Sequence, residues 1–401
     1  MKVIVIGGGA SGLVASITSA TKNEVILLEK NNKCGKKLLI TGNGKCNYWN
    51  SDFKIDYFNS QNMNLLKHII TLKNQEKVLS LLDKIGIVPK IRNGYYYPAS
   101  SQAISVKEAL VKEAKIRGVN IITNCNVLDI IKKDKYIIKT NMGEFSCDKV
   151  ILATGSLACG KTGSTGDGYK FLKKLGHNII KPLPALVKLV GDESYFNKWK
   201  GIRCDVNLKL YEDEKLIIES SGEIQLTSYG ISGICVFQLS GVVARGLYNH
   251  KKEVIVINFL PNINNFISYM NNRNDIVKNR SVSELMDQLI NYNLVNLFLN
   301  LSDINNEEKW DSIDLKRKNK LERLVTSFPL KIINTKGYDD AQVCTGGISL
   351  SEVNINTLES KYNKNLYIAG ELLDCDGVCG GYNLGFAFIS GLIAGENYDI
   401  N

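Results

Sequence analysis

The chain has 401 residues, 44% of them hydrophobic, with 50 Lys and Arg against 40 Asp and Glu and a formal net charge of +10. That apolar content is ample for buried cores, and at about 100–200 residues per domain the length suggests two or three domains. No apolar run approaches the ~18 residues of a membrane span, and nothing ahead of the first motif reads as a cleavable leader, so a soluble cytoplasmic protein is expected.

Lys2 to Ile6 is apolar and runs into Gly7-Gly8-Gly9-Ala10-Ser11-Gly12. Helical residues Leu13 to Thr21 follow, then a second apolar run, Val25 to Leu28, ending at Glu29. Strand, glycine turn, helix, strand and acid occur in the order that a dinucleotide-binding βαβ unit requires. Gly7 permits the tight turn, Gly9 lets a pyrophosphate approach the backbone, and Gly12 lets the helix lie close on the strand. The helix start, at Ala10 and Ser11, offers free N–H groups and a positive dipole end to phosphates. Glu29 can accept hydrogen bonds from ribose hydroxyls.

From Lys30 to Ser51 there are five lysines (Lys30, Lys33, Lys36, Lys37, Lys45) and no acid. This segment contains a Gly/Lys loop, Gly35 to Asn47. Helical spacing follows over Asn64 to Ile85 and Val106 to Lys115. Strands are expected at Val119–Thr123 and Asn126–Ile131, with a hairpin over Tyr136–Asp148. Lys149 to Ala153 reads as a buried strand ending at Thr154-Gly155. The α/β character stops near Pro182 and Pro184. Short alternating strands then appear at Asp205–Tyr211, Lys215–Ser220, Glu223–Thr227 and Glu253–Phe259. Asn262 to Ile333 carries helical periodicity through Leu285, Leu289, Leu294, Leu297 and Leu301. The α/β character returns with Leu366–Ala369 and a closing helix over Gly385–Tyr398. The expected organisation is therefore a discontinuous nucleotide-binding domain, 1–184 and 334–401, a β-rich insertion over 185–261 and a helical subdomain over 262–333.

Two elements turn a dinucleotide into FAD. One is the strand ending at Thr154-Gly155; the other is Asn365 to Ala369 ending in Gly370-Glu371. In two-domain flavoproteins the last parallel strand ends in Gly-Asp or Gly-Glu, and its carboxylate meets the ribityl chain. Beyond lies Gly377-Val378-Cys379-Gly380-Gly381-Tyr382-Asn383-Leu384-Gly385, a glycine-rich helix start that can direct N–H groups at the flavin pyrimidine. The ten cysteines are scattered without a C-x-x-C, and the three histidines, His68, His177 and His250, are far apart in sequence. This argues against a zinc site and a secreted disulfide framework, and for buried, reduced thiols.

These motifs resemble the HI0933-like flavoproteins, also called the aminoacetone oxidase or BaiN-type FAD-binding family. The resemblance rests on the glycine fingerprint, the run Gly35 to Asn47, Tyr97-Pro98 with Ser100, Thr162 to Gly168, Tyr229 to Gly233, Cys344 to Ile348, and Gly370 to Asn383. It implies an α/β architecture: a Rossmann-like FAD domain, a β-barrel-like insertion and a helical subdomain. The candidate FAD contacts are Gly7, Gly9, Ala10, Ser11, Gly12, Glu29, Lys30, Lys36, Thr41, Gly42, Asn43, Cys46, Asn47, Val127, Thr154, Gly155, Gly370, Glu371, Gly381, Asn383, Leu384 and Gly385. Tyr97, Ser228 and Cys379 are the catalytic candidates. The sequence departs from the family pattern at Ser228, where a His or acid is frequent, at Ile234, usually Pro, and at Cys379, frequently Thr.

The resemblance implies an FAD-dependent oxidoreductase moving a hydride to or from flavin N5. Family reactions include oxidation of small amines, reduction of conjugated double bonds and reduction of uridine in ribosomal RNA. With no second G-x-G-x-x-G, a reduced nicotinamide, NADH or NADPH, would dock transiently as donor. A flavin disulfide reductase would need Cys375 and Cys379 as a redox pair. An RNA-acting enzyme would use the net charge and the basic run Lys316, Arg317, Lys318 and Lys320. A flavin-binding scaffold without catalysis is a fourth reading.

Overall fold

The computed structural model describes residues 1–396, which divide into two compact units, Met1–Pro184 with Ala341 onward, and Ala185–Asp340. The chain leaves the first unit once, at Pro184, and returns once, at Ala341.

The first unit is built on a five-stranded parallel sheet. Its order is Leu366–Ile368, Lys149–Leu152, Lys2–Ile6, Glu24–Leu28, Asn120–Ile122. The strands are apolar nearly throughout because both faces are covered; Val3, Ile4 and Val5 are fully buried, as are Val150, Ile151 and Leu152. The strand order reverses between Lys2–Ile6 and Lys149–Leu152, and ligands of such sheets bind at the carboxyl ends of the strands at that switch point.

Helix Ala10–Ser19 follows the first strand, and the last helix, Tyr382–Glu396, lies across it. Gly391 and Gly395, one turn apart on one face, allow this. A Cβ at Gly391 would strike the Ser11 carbonyl oxygen, and one at Gly395 would lie 2.6 Å from that of Ala15. The closing helix thus begins three residues earlier than expected, and Tyr398 lies outside the described residues. The helical stretch expected over Asn64–Ile85 is two helices, Met63–Ile69 and Leu72–Lys84, and a hairpin not expected from the sequence joins Pro89–Arg92 to Tyr95–Pro98.

The second unit is a closed antiparallel barrel with helices packed on it. Its order is Leu189–Gly191, Gly230–Ser232, Lys215–Thr227, Arg203–Glu212, Glu253–Asn258, Phe328–Thr335. Lys215–Ser220 and Glu223–Thr227, expected as two strands, are one 13-residue strand. The region expected to be β-rich also holds a 15-residue helix, Ile234–Tyr248, whose Val236, Leu239 and Val243 are fully buried. Barrel residues such as Leu208, Ile255 and Leu330 share one core with Leu294, Phe298, Leu321 and Val325 of the helices. The β and helical segments are therefore one unit. Its end lies at 340/341 rather than 333/334, because Phe328–Thr335 completes the barrel.

Within the barrel, Glu253 is buried and stands in register opposite Glu212; the bare backbone of Gly246 makes room for both carboxyls. Burial, and next the Glu212 charge, push the Glu253 carboxyl up to about 7 from its ordinary 4.5. A carboxyl harder to ionise folded than unfolded leaves stability intact below pH 4.5 and costs stability as pH rises through 7. Glu253→Gln should match wild-type stability near pH 4.5 and exceed it by about 2–3 kcal/mol at pH 8.5. Paired urea melts at the two pH values check this; an unchanged difference would contradict it.

Candidate functional site: a dinucleotide cradle at the sheet switch point

The glycine turn is shaped as its spacing requires. Gly7 has φ +105°, and its N–H donates to the Leu28 carbonyl at 2.8 Å. A Cβ at Gly12 would strike the Gly7 carbonyl oxygen, so helix and strand meet here backbone to backbone. Gly9 is different: a Cβ there would meet nothing within 4 Å. Its open side lies at the start of helix Ala10–Ser19, where Gly9 carbonyl oxygen accepts the Leu13 N–H at 3.0 Å. The Ala10, Ser11 and Gly12 N–H groups have no acceptor inside the helix. Free space bounded by unsatisfied donors is what an entering diphosphate needs, so the residues present fit FAD.

Glu29 is buried and holds this turn. Its Oε2 accepts the Gly8 N–H at 2.8 Å, and its Oε1 accepts the Asn31 N–H and Nδ2, both at 2.7 Å. Each carboxylate oxygen has about two acceptor positions, so Oε2 retains capacity for a ribose hydroxyl. Asn31 extends the network, accepting from Lys36 Nζ at 2.9 Å and donating to the Thr162 carbonyl at 3.1 Å. Lys30 is tied to Asp167 at 2.8 Å and to Thr165. The Glu29 carbonyl accepts the Cys125 N–H at 3.0 Å, which places Val127, buried two residues on, in the same corner.

The C-terminal elements converge on the same cradle. A Cβ at Gly370 would lie 2.5 Å from Ser11 Oγ, so the Gly-Glu turn abuts the first helix. Glu371 Oε2 accepts from Lys37 Nζ and from Ser156 Oγ, each at 2.7 Å. Thr154 and Gly155 follow the adjacent strand, and a Cβ at Gly155 would lie 2.7 Å from Ser164 Oγ.

The segment Gly35 to Asn47 connects the parts. Its first N–H, at Gly35, donates to the Gly8 carbonyl at 2.8 Å, and Lys37 reaches Glu371. Thr41–Gly44 is a tight left-handed turn at Gly42 and Asn43, closed by the Cys46 N–H donating to the Thr41 carbonyl at 2.9 Å. Cys46 is buried, and its thiol is pushed up to about 11 by that burial. With its nitrogen turned toward them, the orientation its neighbours demand, the Asn47 amide donates to the Tyr96 and Trp49 carbonyls at 3.2 and 3.1 Å. A Cβ at Gly381 would lie 2.5 Å from the Trp49 carbonyl oxygen. The strap thus runs from the first glycine turn to the glycine-rich start of the last helix.

Some candidates have other duties. Asn383 also holds the Gly377 backbone, accepting its N–H at 2.8 Å and donating to its carbonyl at 2.7 Å. Gly385 makes room for Phe53, whose ring would collide with a Cβ there, and Leu384 is partly buried against the core. Lys37, Ser156 and Asn31 are the residues that sequence reasoning missed. The lysine-rich, acid-free run hinted only at the first.

The catalytic candidates fall in different units, Tyr97 and Cys379 in the first and Ser228 in the second. Tyr97 is half-buried on the strand Tyr95–Pro98, on the same face as Tyr95, whose ring lies 2.9 Å from where a Gly380 Cβ would stand. Burial keeps the Tyr97 phenol above its ordinary value. Cys379 directly precedes Gly380, and burial pushes its thiol up to about 12. Ser228 is exposed, in the second unit, on the turn between Lys215–Thr227 and Gly230–Ser232.

All ten cysteines are free thiols. Cys375 is buried, and that burial holds its thiol well above its ordinary value. A redox dithiol needs a thiolate, so Cys375 and Cys379 are poor candidates for one. Cys375→Ala should leave flavin reduction and turnover within about tenfold of wild type, about 1.4 kcal/mol in barrier. Loss of several orders of magnitude with FAD still bound would instead mark a dithiol enzyme. His177 is likewise spent, on Glu352 and Ser360 at 2.8 Å each.

Two cations of the basic run in the second unit, Arg317 and Lys320, are paired with acids. Arg317 pairs with Asp314 at 2.6 Å and Glu308 at 3.0 Å, Lys320 pairs with Asp303 at 2.8 Å, and Lys318 lies over the Trp310 ring at 4.7 Å. Among the described residues no helix is long and apolar enough to cross a membrane.

The model of the HI0933-like protein Rossmann domain family matches residues 1–397. A 3-dehydro-bile acid delta(4,6)-reductase of Clostridium scindens is 35% identical, with 98% of each chain covered. A ribosomal RNA dihydrouridine synthase of Haemophilus influenzae is 25% identical, covering 96% of each. Among solved structures, a flavocytochrome c3 fumarate reductase superposes with a TM-score of 0.52 at 14% identity, over 99% of this chain and 77% of that one, a likeness of fold alone. The chain belongs to the HI0933-like family and is an FAD-dependent oxidoreductase.

Proposed function

We propose that this oxidoreductase reduces a carbon–carbon double bond conjugated to a carbonyl in a small molecule, with a reduced nicotinamide as transient donor. The observation that carries this reading is the 35% identity, over 98% of both chains, to a reductase whose name specifies such a bond in a 3-dehydro-bile acid. The dihydrouridine synthase performs the same class of chemistry on its own substrate, since dihydrouridine is uridine with its conjugated ring double bond saturated. FAD, when bound, supplies the hydride-carrying centre. The chain's own residues bind and orient it through Glu29, the open side of Gly9 and the helix N-terminus. Conjugate reduction also requires a proton for the substrate carbon next to the carbonyl. Tyr97 Oη keeps its proton at neutral pH, which suits a donor and not a base.

The RNA-acting reading has the more distant relatives behind it, but the cations it needs at Arg317 and Lys320 are paired with acids. The free thiols fit a reducing, cytoplasmic compartment.

Anaerobic stopped-flow tests the proposal. NADH or NADPH should bleach the flavin, and a steroid 3-oxo-4-ene or 3-oxo-4,6-diene should restore its colour with a product two mass units heavier. Bleaching by small amines, with no reoxidation by any enone, would make the protein an amine oxidase instead.

A further inference from the structure

We propose that Lys37 is a positioning residue for FAD that acts through Glu371. The inference rests on the FAD cradle described above. Glu371 follows the last parallel strand, and Gly370 fixes it against Ser11 at the first helix N-terminus. One carboxylate oxygen, Oε2, takes both of its side-chain hydrogen bonds, from Lys37 Nζ and Ser156 Oγ at 2.7 Å. Ser156 is fully buried and is itself fixed, because its Oγ accepts the Ala158 N–H at 3.2 Å. Among the described residues the other oxygen, Oε1, has no hydrogen-bond partner, while the side chain stays 20% exposed. A carboxylate clamped at one oxygen and open at the other is oriented to accept a hydroxyl of an entering polyol chain, and the ribityl chain is the polyol of FAD.

Lys37 belongs to the strap Gly35–Asn47, whose Gly35 N–H is bound to the Gly8 carbonyl beside Glu29. The lysine therefore ties the first glycine turn to the Glu371 carboxylate, the two places that would hold the adenosine ribose and the ribityl chain. Its ammonium has a geometric duty that neither Lys30 nor Lys36 shares, since those are held by Asp167 and Asn31.

A double-mutant cycle on FAD affinity tests this, with apoprotein prepared from wild type, Lys37→Met, Lys37→Arg, Glu371→Gln and the Lys37→Met/Glu371→Gln pair. Near-UV circular dichroism establishes that each is folded. Lys37→Met should weaken FAD binding about 10–100-fold, the range of one charge-assisted contact. Lys37→Arg, which keeps the charge, should stay within about threefold of wild type. In the Glu371→Gln background, adding Lys37→Met should cost no more than about threefold. Wild-type affinity in Lys37→Met overturns the proposal. So does an equal loss in both backgrounds, which would mean that Lys37 acts independently of Glu371. A wild-type protein that takes up no FAD would be a different failure, overturning the cradle itself.

Discussion

Gly9→Val should leave the apoprotein folded and strip it of FAD. The position has φ −79°, which any residue adopts, and a Cβ there would meet nothing within 4 Å. The folded chain therefore has no reason to resist the substitution. The space the side chain fills is the one that lets a diphosphate reach the Ala10, Ser11 and Gly12 N–H groups. Losing one or two charge-assisted hydrogen bonds of about 1.5–3 kcal/mol each should raise the Kd at least about tenfold. Apoprotein melting should shift by less than about 2 °C, the equivalent of roughly 0.5 kcal/mol. Isothermal titration with FAD and a thermal melt decide it; unchanged affinity would mean that the diphosphate lies elsewhere.

Gly12→Ala, three residues on, should do the reverse. The added methyl would strike the Gly7 carbonyl oxygen and come within 3.3 Å of Ala153 Cβ. One obstacle is backbone at the end of strand Lys2–Ile6 and the other is the methyl of Ala153, just past strand Lys149–Leu152, so no flexible side chain can swing away. Overpacking of this kind costs typically 1–3 kcal/mol, more where backbone is involved. We expect about 3 kcal/mol, some 6–12 °C in apoprotein melting, with FAD affinity falling as a consequence. A melt within 2 °C of wild type would show that the helix can lift off the strand at little cost. The two substitutions separate the roles of two glycines in one motif: one excludes nothing in the protein, and the other excludes everything.

The contrast also marks what the sequence carried. Gly7, Gly9, Gly12 and Glu29 were readable because their meaning is local: a strand, a turn, a helix and an acid within 29 residues. Gly370-Glu371 was readable as the end of an apolar run, and a Cβ at Gly370 would lie 2.5 Å from Ser11 Oγ. Partners distant in sequence were not readable. Nothing in the sequence announces Glu308 as a partner of Arg317, or Asp303 as a partner of Lys320. Asn383 and Gly385 lie in a motif that suggests ligand contact, yet the loop uses the first and Phe53 needs the second. The barrel was half visible. Its long strands alternate, but Leu189–Gly191 and Gly230–Ser232 are three residues each, too short to show a period, and they close it. Helix Ile234–Tyr248 was missed because its continuous apolar face reads equally well as a buried strand.

The direct measurement is identification of the flavin. Denaturing the purified protein and resolving the released chromophore should yield FAD, close to one per chain and non-covalently held. Release of FMN, or a colourless protein that takes up no added FAD, would contradict the account.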